Sequence, residues 1–189
     1  VGNPLRAVFS SFDRTARRPA ARQRYGVAPE ATVIGVLGGS LGARVLNESV
    51  AGIVAAWSGG PMEIVHLTGP EAYDEMARAA GRSPLPWRCV GFEDAMEDFY
   101  AAADVVVCRA GAMTISELAA TGTPAVVVPL EAVGQQANAA ALAGAGGAIV
   151  VPPAEIADLP SLTAALAADP ARLAGLAEGA RSLARPEAA

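Results

Sequence analysis

The pattern of apolar and polar positions changes period repeatedly along the chain, and this alternation predicts strands and helices in turn. Runs of consecutive apolar residues, many of them β-branched, predict six strands at 32–37, 62–69, 87–92, 104–108, 125–130 and 148–153. The segments between them predict helices at 43–57, 71–81, 94–103, 114–122 and 135–146. A short peripheral helix ending at Gly26 is predicted before them, and two Ala-rich helices divided at Asp169-Pro170 are predicted after them.

Strands that alternate with helices at this spacing predict a parallel sheet. Because each strand–helix–strand unit crosses over in the right-handed sense, residues 1–189 are predicted to form one doubly wound, Rossmann-like α/β domain with a six-stranded sheet. After Asp104, strand 104–108 is apolar to its end, as a strand covered on both faces should be. Ligands of such sheets bind at the carboxyl ends of the strands, which directs attention to the loops 38–42, 68–70, 91–94 and 109–114.

Composition and charge exclude several classes of function. The formal net charge of the 189 residues is -5, and all 14 cationic side chains are Arg, which argues against a nucleic-acid partner. No apolar run approaches the roughly 20 residues that span a bilayer, and no signal peptide is recognisable. The chain begins at Val1, which suggests an excised piece or a processed product. Cys89 and Cys108 are expected to be buried free thiols rather than metal ligands.

Glycines follow the first predicted strand and open the next helix. Gly38, Gly39 and Gly42 surround Ser40 in the sequence GGSLG. Glycines let a backbone approach a ligand closely, and the N–H groups of a helix start attract anions, so the loop suits a phosphate. A tight turn that needs glycine for its geometry alone explains the sequence equally well. The loop lacks the Gly-Lys-Ser/Thr of a P-loop and the glycine spacing of a dinucleotide fingerprint.

The stretch CRAGAMTISELAATGTP, residues 108–124, repeats this arrangement after the fourth strand. Gly111 provides a turn, and Ala112, Met113 and Thr114 would present backbone N–H groups toward the strand ends. Glu117 has two interpretations. In one, Thr114 caps the helix and Glu117 completes a capping box. In the other, Glu117 faces the cleft and accepts hydrogen bonds from a vicinal diol such as that of a ribose.

Other polar residues carry weaker signals. His66 is the only histidine and is interpreted as a structural residue within a strand. The acids of 93–98 are interpreted as a solvated helix start, favoured by the helix dipole. Gln135 and Gln136 either hydrogen-bond a sugar or form the polar start of a helix. The residues therefore predict an anionic, nucleotide-like ligand and show no acid–base machinery of their own.

Several motifs together resemble a known family. GNPLR (2–6), GGSLGARVLN (38–47), the GF dipeptide with its acids (91–94), residues 101–130 and QQANA (135–139) are similar to the carboxyl-terminal half of the MurG family. The similarity extends from Gly2 to about Arg185, and the motifs around Gly38 and Arg109 are specific to that family. MurG proteins are inverting GT-B glycosyltransferases that move N-acetylglucosamine (GlcNAc) from UDP-GlcNAc to lipid I, the undecaprenyl-pyrophosphoryl-MurNAc-pentapeptide of peptidoglycan synthesis.

The resemblance implies a role for individual residues. Arg6 and Ser40 would contact the donor, together with Arg109. Phe92 would lie against the uracil, and the backbone at Glu93 would read the edge of the base. The diphosphate would bind the glycine-bearing loops and the N–H groups of the helix start, that is Gly38, Gly39, Gly42, Gly111, Ala112, Met113 and Thr114. Glu117 would hold the ribose hydroxyls, and Gln135 or Gln136 would reach the GlcNAc hydroxyls.

The resemblance also implies what lies elsewhere. It implies no cofactor and no metal, because a helix dipole neutralises the departing diphosphate. The amino-terminal domain, with the acceptor site and the catalytic base, is not part of these 189 residues, so the chain is expected to bind donor without turning it over. The complete enzyme would be cytoplasmic and peripheral on the inner face of the plasma membrane, where it meets its lipid-linked acceptor.

One segment departs from the family pattern and leaves alternatives open. Residues 130–138 lack the aromatic and basic residues usual in the family. A MurG-like transferase of natural-product biosynthesis, with another donor or acceptor, would show this backbone with changes at this place. A non-catalytic nucleotide-binding module would share the same loops. A UDP-GlcNAc 2-epimerase is disfavoured by the lone histidine, and an NAD-dependent dehydrogenase by the glycine spacing.

Overall fold

The computed structural model describes residues 5–38, 44–131 and 134–184 and has a six-stranded parallel sheet at its centre. The strands are β1 (Thr32–Leu37), β2 (Met62–Leu67), β3 (Trp87–Val90), β4 (Val105–Cys108), β5 (Ala125–Val127) and β6 (Ala148–Val150). Their order across the sheet is β3-β2-β1-β4-β5-β6, and every neighbouring pair is parallel. The predicted doubly wound sheet is therefore confirmed.

Eight α-helices occur in the described ranges, and each predicted helix corresponds to one of them. They are α1 (Arg14–Arg24), α2 (Arg44–Ala56), α3 (Tyr73–Ala80), α4 (Met96–Ala102), α5 (Ala112–Thr121), α6 (Gln136–Gly144), α7 (Leu159–Ala167) and α8 (Pro170–Ser182). Short 3₁₀ turns lie at Ala7–Phe9 and Pro153–Asp158. Within the described ranges, no helix has the length and apolar character needed to cross a membrane.

Four strands end earlier than the apolar runs that predicted them. β2 and β3 stop two residues short of the predicted ends, and β5 and β6 stop three residues short. Pro129, Pro152 and Pro153 lie in the trimmed parts of β5 and β6, and proline has no N–H with which to extend a ladder. β1 matches its prediction at both ends.

Both faces of the sheet are buried, which explains the continuous apolar runs. Val33 belongs to the core shared with α4, α5 and α6, whereas Ile34 and Val36 belong to the core shared with α2, α3 and α7. Gly35 in the middle of β1 is needed for close packing, because a Cβ there would lie 2.8 Å from the ring of Phe99 on α4. The sheet and α4 therefore meet at a distance that only glycine allows.

Helix α1 is an integral part of the fold, so the prediction of a peripheral helix is wrong. It packs along α4, and Ala21 and Tyr25 are buried. Asp104, just before β4, accepts hydrogen bonds from Arg18 and Arg22 of α1 and from the backbone N–H of Val33. A basic helix is thus fixed to the sheet through one carboxylate.

Three of the four acids of 93–98 are paired with arginines rather than solvated, which corrects their interpretation, whereas Asp94 is exposed. Glu97 pairs with Arg6 and Arg17, and Asp98 pairs with Arg17 and Arg24. The side chain of Glu93 is 3% exposed and pairs with Arg24. These acids therefore join α4 to the arginines at the beginning of the chain.

Candidate functional site

The strand order of the sheet reverses between β1 and β4, and two of the loops predicted to bind a ligand follow these strands. The chain passes from β1 outward to β2 and β3, and then returns to β4 on the other side of β1. The carboxyl ends of β1 and β4 therefore flank a crevice of the kind in which doubly wound sheets bind ligands. Gly38 is buried at the end of β1, and Arg109 to Gly111 follow β4. Gly39, Ser40 and Gly42 lie outside the described residues.

Helix α5 begins at this crevice. Gly111 is its N-cap residue and makes no side-chain cap hydrogen bond. Ala112 is exposed, Met113 is 45% exposed and Thr114 is half-buried. A helix start of this kind presents backbone N–H groups and the positive end of the helix dipole, which together favour an anion.

The capping-box interpretation of Glu117 is wrong. The helix begins at Ala112, two residues before Thr114, so Thr114 lies inside the first turn and is not the N-cap. Glu117 instead accepts a hydrogen bond of 2.7 Å from the hydroxyl of Tyr100 on α4. Sequence reasoning missed Tyr100, because a tyrosine in an apolar helix gives no sign of the partner that its hydroxyl will meet.

Burial raises the pKa of Glu117 above its ordinary value, and neighbouring groups act on it in both directions. The Tyr100 hydrogen bond and the positive charge of Arg6 lower the pKa, and the negative charge of Glu97 raises it. Half-buried and hydrogen-bonded through one oxygen, the carboxylate can still accept further donors, as a diol requires.

Arg6 lies beside the loop after β3 and acts on Glu117 through its charge. Its guanidinium donates to the backbone carbonyl of Asp94 at 2.7 Å and to the Glu97 carboxylate at 2.8 Å. It also lies over the ring of Phe9, 5.4 Å from the ring centre. The structure therefore brings the GNPLR arginine, the GF loop and Glu117 together.

The GF loop exposes one aromatic ring, and hydrogen bonds hold the rest of the loop in place. Phe92 is 75% exposed, more than any other large apolar side chain in the part of the chain that the structure describes. The Glu93 carboxylate accepts hydrogen bonds from Tyr25 at 2.6 Å, from Arg24 at 2.7 Å and from the Ala95 backbone N–H at 2.8 Å. These contacts fix the loop and leave Phe92 free to stack on a planar ligand.

The two glutamines lie in different environments. Gln135 is buried, and its side-chain oxygen accepts hydrogen bonds from the backbone N–H groups of Ala110 and Leu130, both at 3.1 Å. Asn138 donates to the carbonyl of Ala110 at 3.0 Å, so α6 holds the loop after β4 from both sides. Gln136 is exposed and is the one of the pair whose side chain faces solvent.

Arg109 lines a second hollow, which lies beside the crevice at the ends of β4 and β5. Its guanidinium donates to the carbonyl of Val128 at 3.2 Å, and burial lowers its pKa. The hollow has a volume of about 320 Å³, and its other walls include Val45, Leu130 and Glu131. Arg109 therefore places a cation in this hollow, at the carboxyl ends of β4 and β5.

His66 has the structural role predicted for it. Its Nε2 lies 2.8 Å from the side-chain oxygen of Asn47 on α2, and its Nδ1 accepts a hydrogen bond from the Trp87 indole at 3.3 Å. The tautomer with the proton on Nε2 satisfies both contacts. The imidazole is fully buried, and burial lowers its pKa to about 4.

We expect His66 to make the fold sensitive to acid. The folded state holds the ring neutral with a pKa of about 4, whereas the unfolded chain protonates it near its ordinary value of 6.5. Because the folded pKa is lowered, the contribution to stability is complete above about pH 6.5 and is lost as the pH falls toward 4, with a maximum loss of about 3 kcal/mol. Urea denaturation of the wild type and of His66→Gln at several pH values between 4 and 7 measures the free energy of unfolding. The prediction is contradicted if this free energy depends on pH equally in the two proteins.

The cysteines are free thiols, as predicted, but only one is fully buried. Cys108 ends β4 in the core, and burial raises its pKa. Cys89 in β3 is half-buried. Neither side chain belongs to the crevice cluster around Glu117.

Comparison with known proteins places this geometry in a family. Residues 33–188 match the glycosyltransferase family 28 C-terminal domain. The chain belongs to this family. It is 39% identical to the UDP-N-acetylglucosamine--N-acetylmuramyl-(pentapeptide) pyrophosphoryl-undecaprenol N-acetylglucosamine transferase of Mycobacterium avium, and 41% identical to the protein of that name from Mycobacterium tuberculosis. Both matches cover 100% of this chain and 47% of the relative, so the family 28 chain spans about half the length of the curated relatives it matches.

Solved structures agree with the sequence matches. MurG of Acinetobacter baumannii superposes with a TM-score of 0.77 at 28% identity, over 94% of this chain and 51% of that one. The glycotransferase of kitacinnamycin superposes with a TM-score of 0.60 at 27% identity, over 80% of this chain and 39% of that one. The resemblance to the MurG family inferred from the motifs is therefore confirmed.

Proposed function

We propose that this chain is the donor-binding half of a MurG-like glycosyltransferase and that it binds UDP-GlcNAc in the crevice between β1 and β4. The observation that carries the proposal is that the start of α5, the Glu117 carboxylate and the loop with the exposed Phe92 ring lie on the carboxyl-end side of the sheet, with Arg6 between that loop and Glu117. Names of the family 28 relatives support UDP-GlcNAc as the donor.

Each part of a sugar nucleotide has a chemical counterpart in the crevice. The first turn of α5 suits the diphosphate, because helix N–H groups and the helix dipole favour anions. Glu117 suits the ribose, because a carboxylate accepts two hydroxyl donors at once. Phe92 and the backbone at Glu93 suit the uracil, and the exposed Gln136 suits the GlcNAc hydroxyls. Arg6 adds positive charge on the base side.

In the complete enzyme, these residues would stabilise the leaving group. A base on the partner domain would take the proton of the lipid I hydroxyl, whose oxygen would attack the anomeric carbon as its bond to UDP breaks, with inversion. The α5 start would hold the negative charge that develops on the departing diphosphate. The lipid-linked acceptor and the contact with the inner face of the plasma membrane would involve that other domain, so this chain alone would bind donor without transfer.

We expect Glu117→Ala to weaken UDP binding by roughly 10- to 100-fold, because hydrogen bonds to a charged acceptor contribute about 1.5–3 kcal/mol. Isothermal titration calorimetry of the 189-residue chain with UDP, UDP-GlcNAc, UDP-glucose and NAD measures it. The wild type should bind the uridine nucleotides in preference to NAD. The proposal fails if the wild type does not bind UDP at millimolar concentration, or if the chain alone transfers GlcNAc.

A matched variant separates ligand contact from folding. Glu117→Ala leaves the buried hydroxyl of Tyr100 without its acceptor, which costs roughly 1–3 kcal/mol of stability. Glu131→Ala removes an exposed carboxylate from the hollow beside the crevice and should leave UDP affinity unchanged. Equal losses of UDP affinity in the two variants would remove the support for Glu117 as the ribose ligand.

A MurG-like transferase of natural-product biosynthesis is the second candidate. Residues 130–138 lack the aromatic and basic residues usual in MurG proteins, and the structural match to the glycotransferase of kitacinnamycin supports this alternative. The two candidates share the nucleotide part of the site and differ in the sugar. UDP-GlcNAc binding more tightly than UDP-glucose would favour the first candidate, and equal binding would favour the second.

A further inference from the structure

Tyr100 is fully buried, yet its hydroxyl reaches the crevice carboxylate. The residue lies on α4 with none of its surface exposed, and its hydroxyl donates to Glu117 at 2.7 Å. Its ring makes edge contacts with Phe9 at 6.3 Å and with Phe99 at 5.5 Å between ring centres. Packing on these sides holds the phenol in one position, so the hydrogen bond fixes the carboxylate and not the reverse.

The chemistry of the pair determines which partner donates. Burial and the adjacent Glu117 charge raise the pKa of Tyr100 well above its ordinary value, so the phenol keeps its proton and donates it. Glu117 is then favoured in its ionised form by this bond and by Arg6, against burial and the charge of Glu97. Tyr100 thus occupies one side of the carboxylate and leaves the rest of its acceptor capacity for a ligand.

We propose that Tyr100 is a positioning residue that orients the Glu117 carboxylate toward a ribose 2′,3′-diol and thereby makes the site prefer ribonucleotide over 2′-deoxyribonucleotide ligands. This inference rests on the proposed nucleotide site. It assigns the discrimination between ribose and deoxyribose to a side chain that does not touch the ligand. A carboxylate held in one orientation can accept hydrogen bonds from both hydroxyls of a ribose. A carboxylate that rotates binds the single hydroxyl of the deoxy sugar equally well.

The test compares the affinities of UDP and 2′-deoxy-UDP by calorimetry for the wild type, Tyr100→Phe and Tyr25→Phe. We expect the wild type to prefer UDP by roughly tenfold or more, the effect of one charge-assisted hydrogen bond. Tyr100→Phe should reduce this ratio at least about threefold, mainly by weakening UDP. UDP affinity should fall at acidic pH as Glu117 is protonated, and we call this fall the acid limb. Tyr100→Phe should move the acid limb to higher pH, since loss of the hydrogen bond raises the pKa of Glu117.

Tyr25→Phe is the matched control, because it also removes a tyrosine hydroxyl that donates to a buried carboxylate, that of Glu93. It should change the two affinities by the same factor and leave the ratio as in the wild type. A Tyr100→Phe protein that loses both affinities equally, with an unchanged acid limb, would overturn the proposal and leave Tyr100 a purely structural residue.

A measurement on the wild type keeps the proposal open to refutation if Tyr100→Phe does not fold. The hydroxyl proton of a buried, hydrogen-bonded tyrosine is observable by NMR, and saturating UDP should shift the Tyr100 signal more than saturating 2′-deoxy-UDP does. Equal shifts would overturn the proposal. If the wild type binds UDP but does not prefer it over the deoxy compound, this inference fails and the proposed function stands. If it binds neither compound, the proposed function itself fails.

Discussion

Ala112→Asp is expected to weaken UDP binding by roughly 30-fold while leaving the free energy of unfolding unchanged or slightly higher. Ala112 is the first residue of α5 and is exposed, and the N-cap Gly111 makes no side-chain cap hydrogen bond. A carboxylate added here occupies the place proposed for the diphosphate. Calorimetric titration with UDP and urea denaturation measure the two quantities on the same protein.

The expected effects on UDP affinity and on the free energy of unfolding have opposite signs, although both arise from the charge of the new carboxylate. A negative side chain in the first turn of a helix is stabilising by about 0.3–1 kcal/mol, because it faces the positive end of the helix dipole. The same charge repels a second anion. At about 8 Å and an effective dielectric constant of about 20, two unit charges repel by about 2 kcal/mol, which is roughly 30-fold in Kd. A variant that merely damaged the fold would lower both quantities.

Ala171→Asp provides the control for the helix effect alone. Ala171 is exposed in the first turn of α8, and the next residues, Leu173 and Ala174, lie with Asp104 and Pro124 at the amino ends of β4 and β5. The substitution should affect stability in the same direction and leave UDP affinity unchanged. If Ala112→Asp binds UDP as tightly as Ala171→Asp does, the diphosphate is not held by the start of α5.

The strands were predictable because a strand buried on both faces needs a run of apolar residues, and such a run is visible locally in the sequence. β4 is apolar throughout and β1 is apolar after Thr32, since both faces of the sheet are covered, and their predicted and observed positions agree within one residue. Helix ends marked by glycine were predictable for the same local reason. Gly122 ends α5 with a φ of 60°, a conformation that glycine adopts without strain.

The site was predictable only as a set of loops, because its side-chain contacts join distant parts of the chain. The T-x-x-E spacing suggested a capping box for Glu117, yet Tyr100, which approaches from α4, supplies the hydrogen bond. Likewise, the sequence around Gln135 gives no sign that its side-chain oxygen bonds the N–H of Ala110. Partners 17 and 25 residues apart are set by how helices pack on the sheet, which no local pattern encodes.

The interpretation of the acids failed for a related reason. Glu93, Glu97 and Asp98 have the local pattern of a helix start facing water, and their arginine partners lie at least 69 residues earlier. Composition contained one relevant signal, the density of arginine in residues 14–24. Cations on one face of a helix need either solvent or carboxylates, and α4 supplies the carboxylates.

Asp104→Ala is expected to lower the free energy of unfolding by about 3 kcal/mol, the largest loss from a single side chain outside the apolar core that we predict. One oxygen of Asp104 accepts from Arg22 at 2.9 Å and from the Val33 backbone N–H at 2.8 Å, and the other accepts from Arg18. Arg22 is 6% exposed, so removing the carboxylate leaves a buried charge without its counter-ion. Breaking a buried pair from one side typically costs about 3–5 kcal/mol, and Asp104 itself is 22% exposed, which places this one at the lower end.

The arginines around Asp104 make its removal more costly than that of an isolated pair. Burial and the neighbouring cations Arg18, Arg181 and Arg22 lower the pKa of Arg14 to about 10, and Asp104 acts in the opposite direction. Without Asp104, these cations repel one another with no carboxylate among them, and α1 loses its attachment to β1 and β4. Urea denaturation at pH 7 should show a lower midpoint with an unchanged m-value. Asp104→Asn keeps one acceptor oxygen, which can serve both Val33 and Arg22, and should lose less. Asp158→Ala, at an exposed acid, should stay within about 0.5 kcal/mol of the wild type. An Asp104→Ala protein as stable as Asp158→Ala would mean that the apolar contacts of α1 and its ion pairs with Glu93, Glu97 and Asp98 hold it without Asp104.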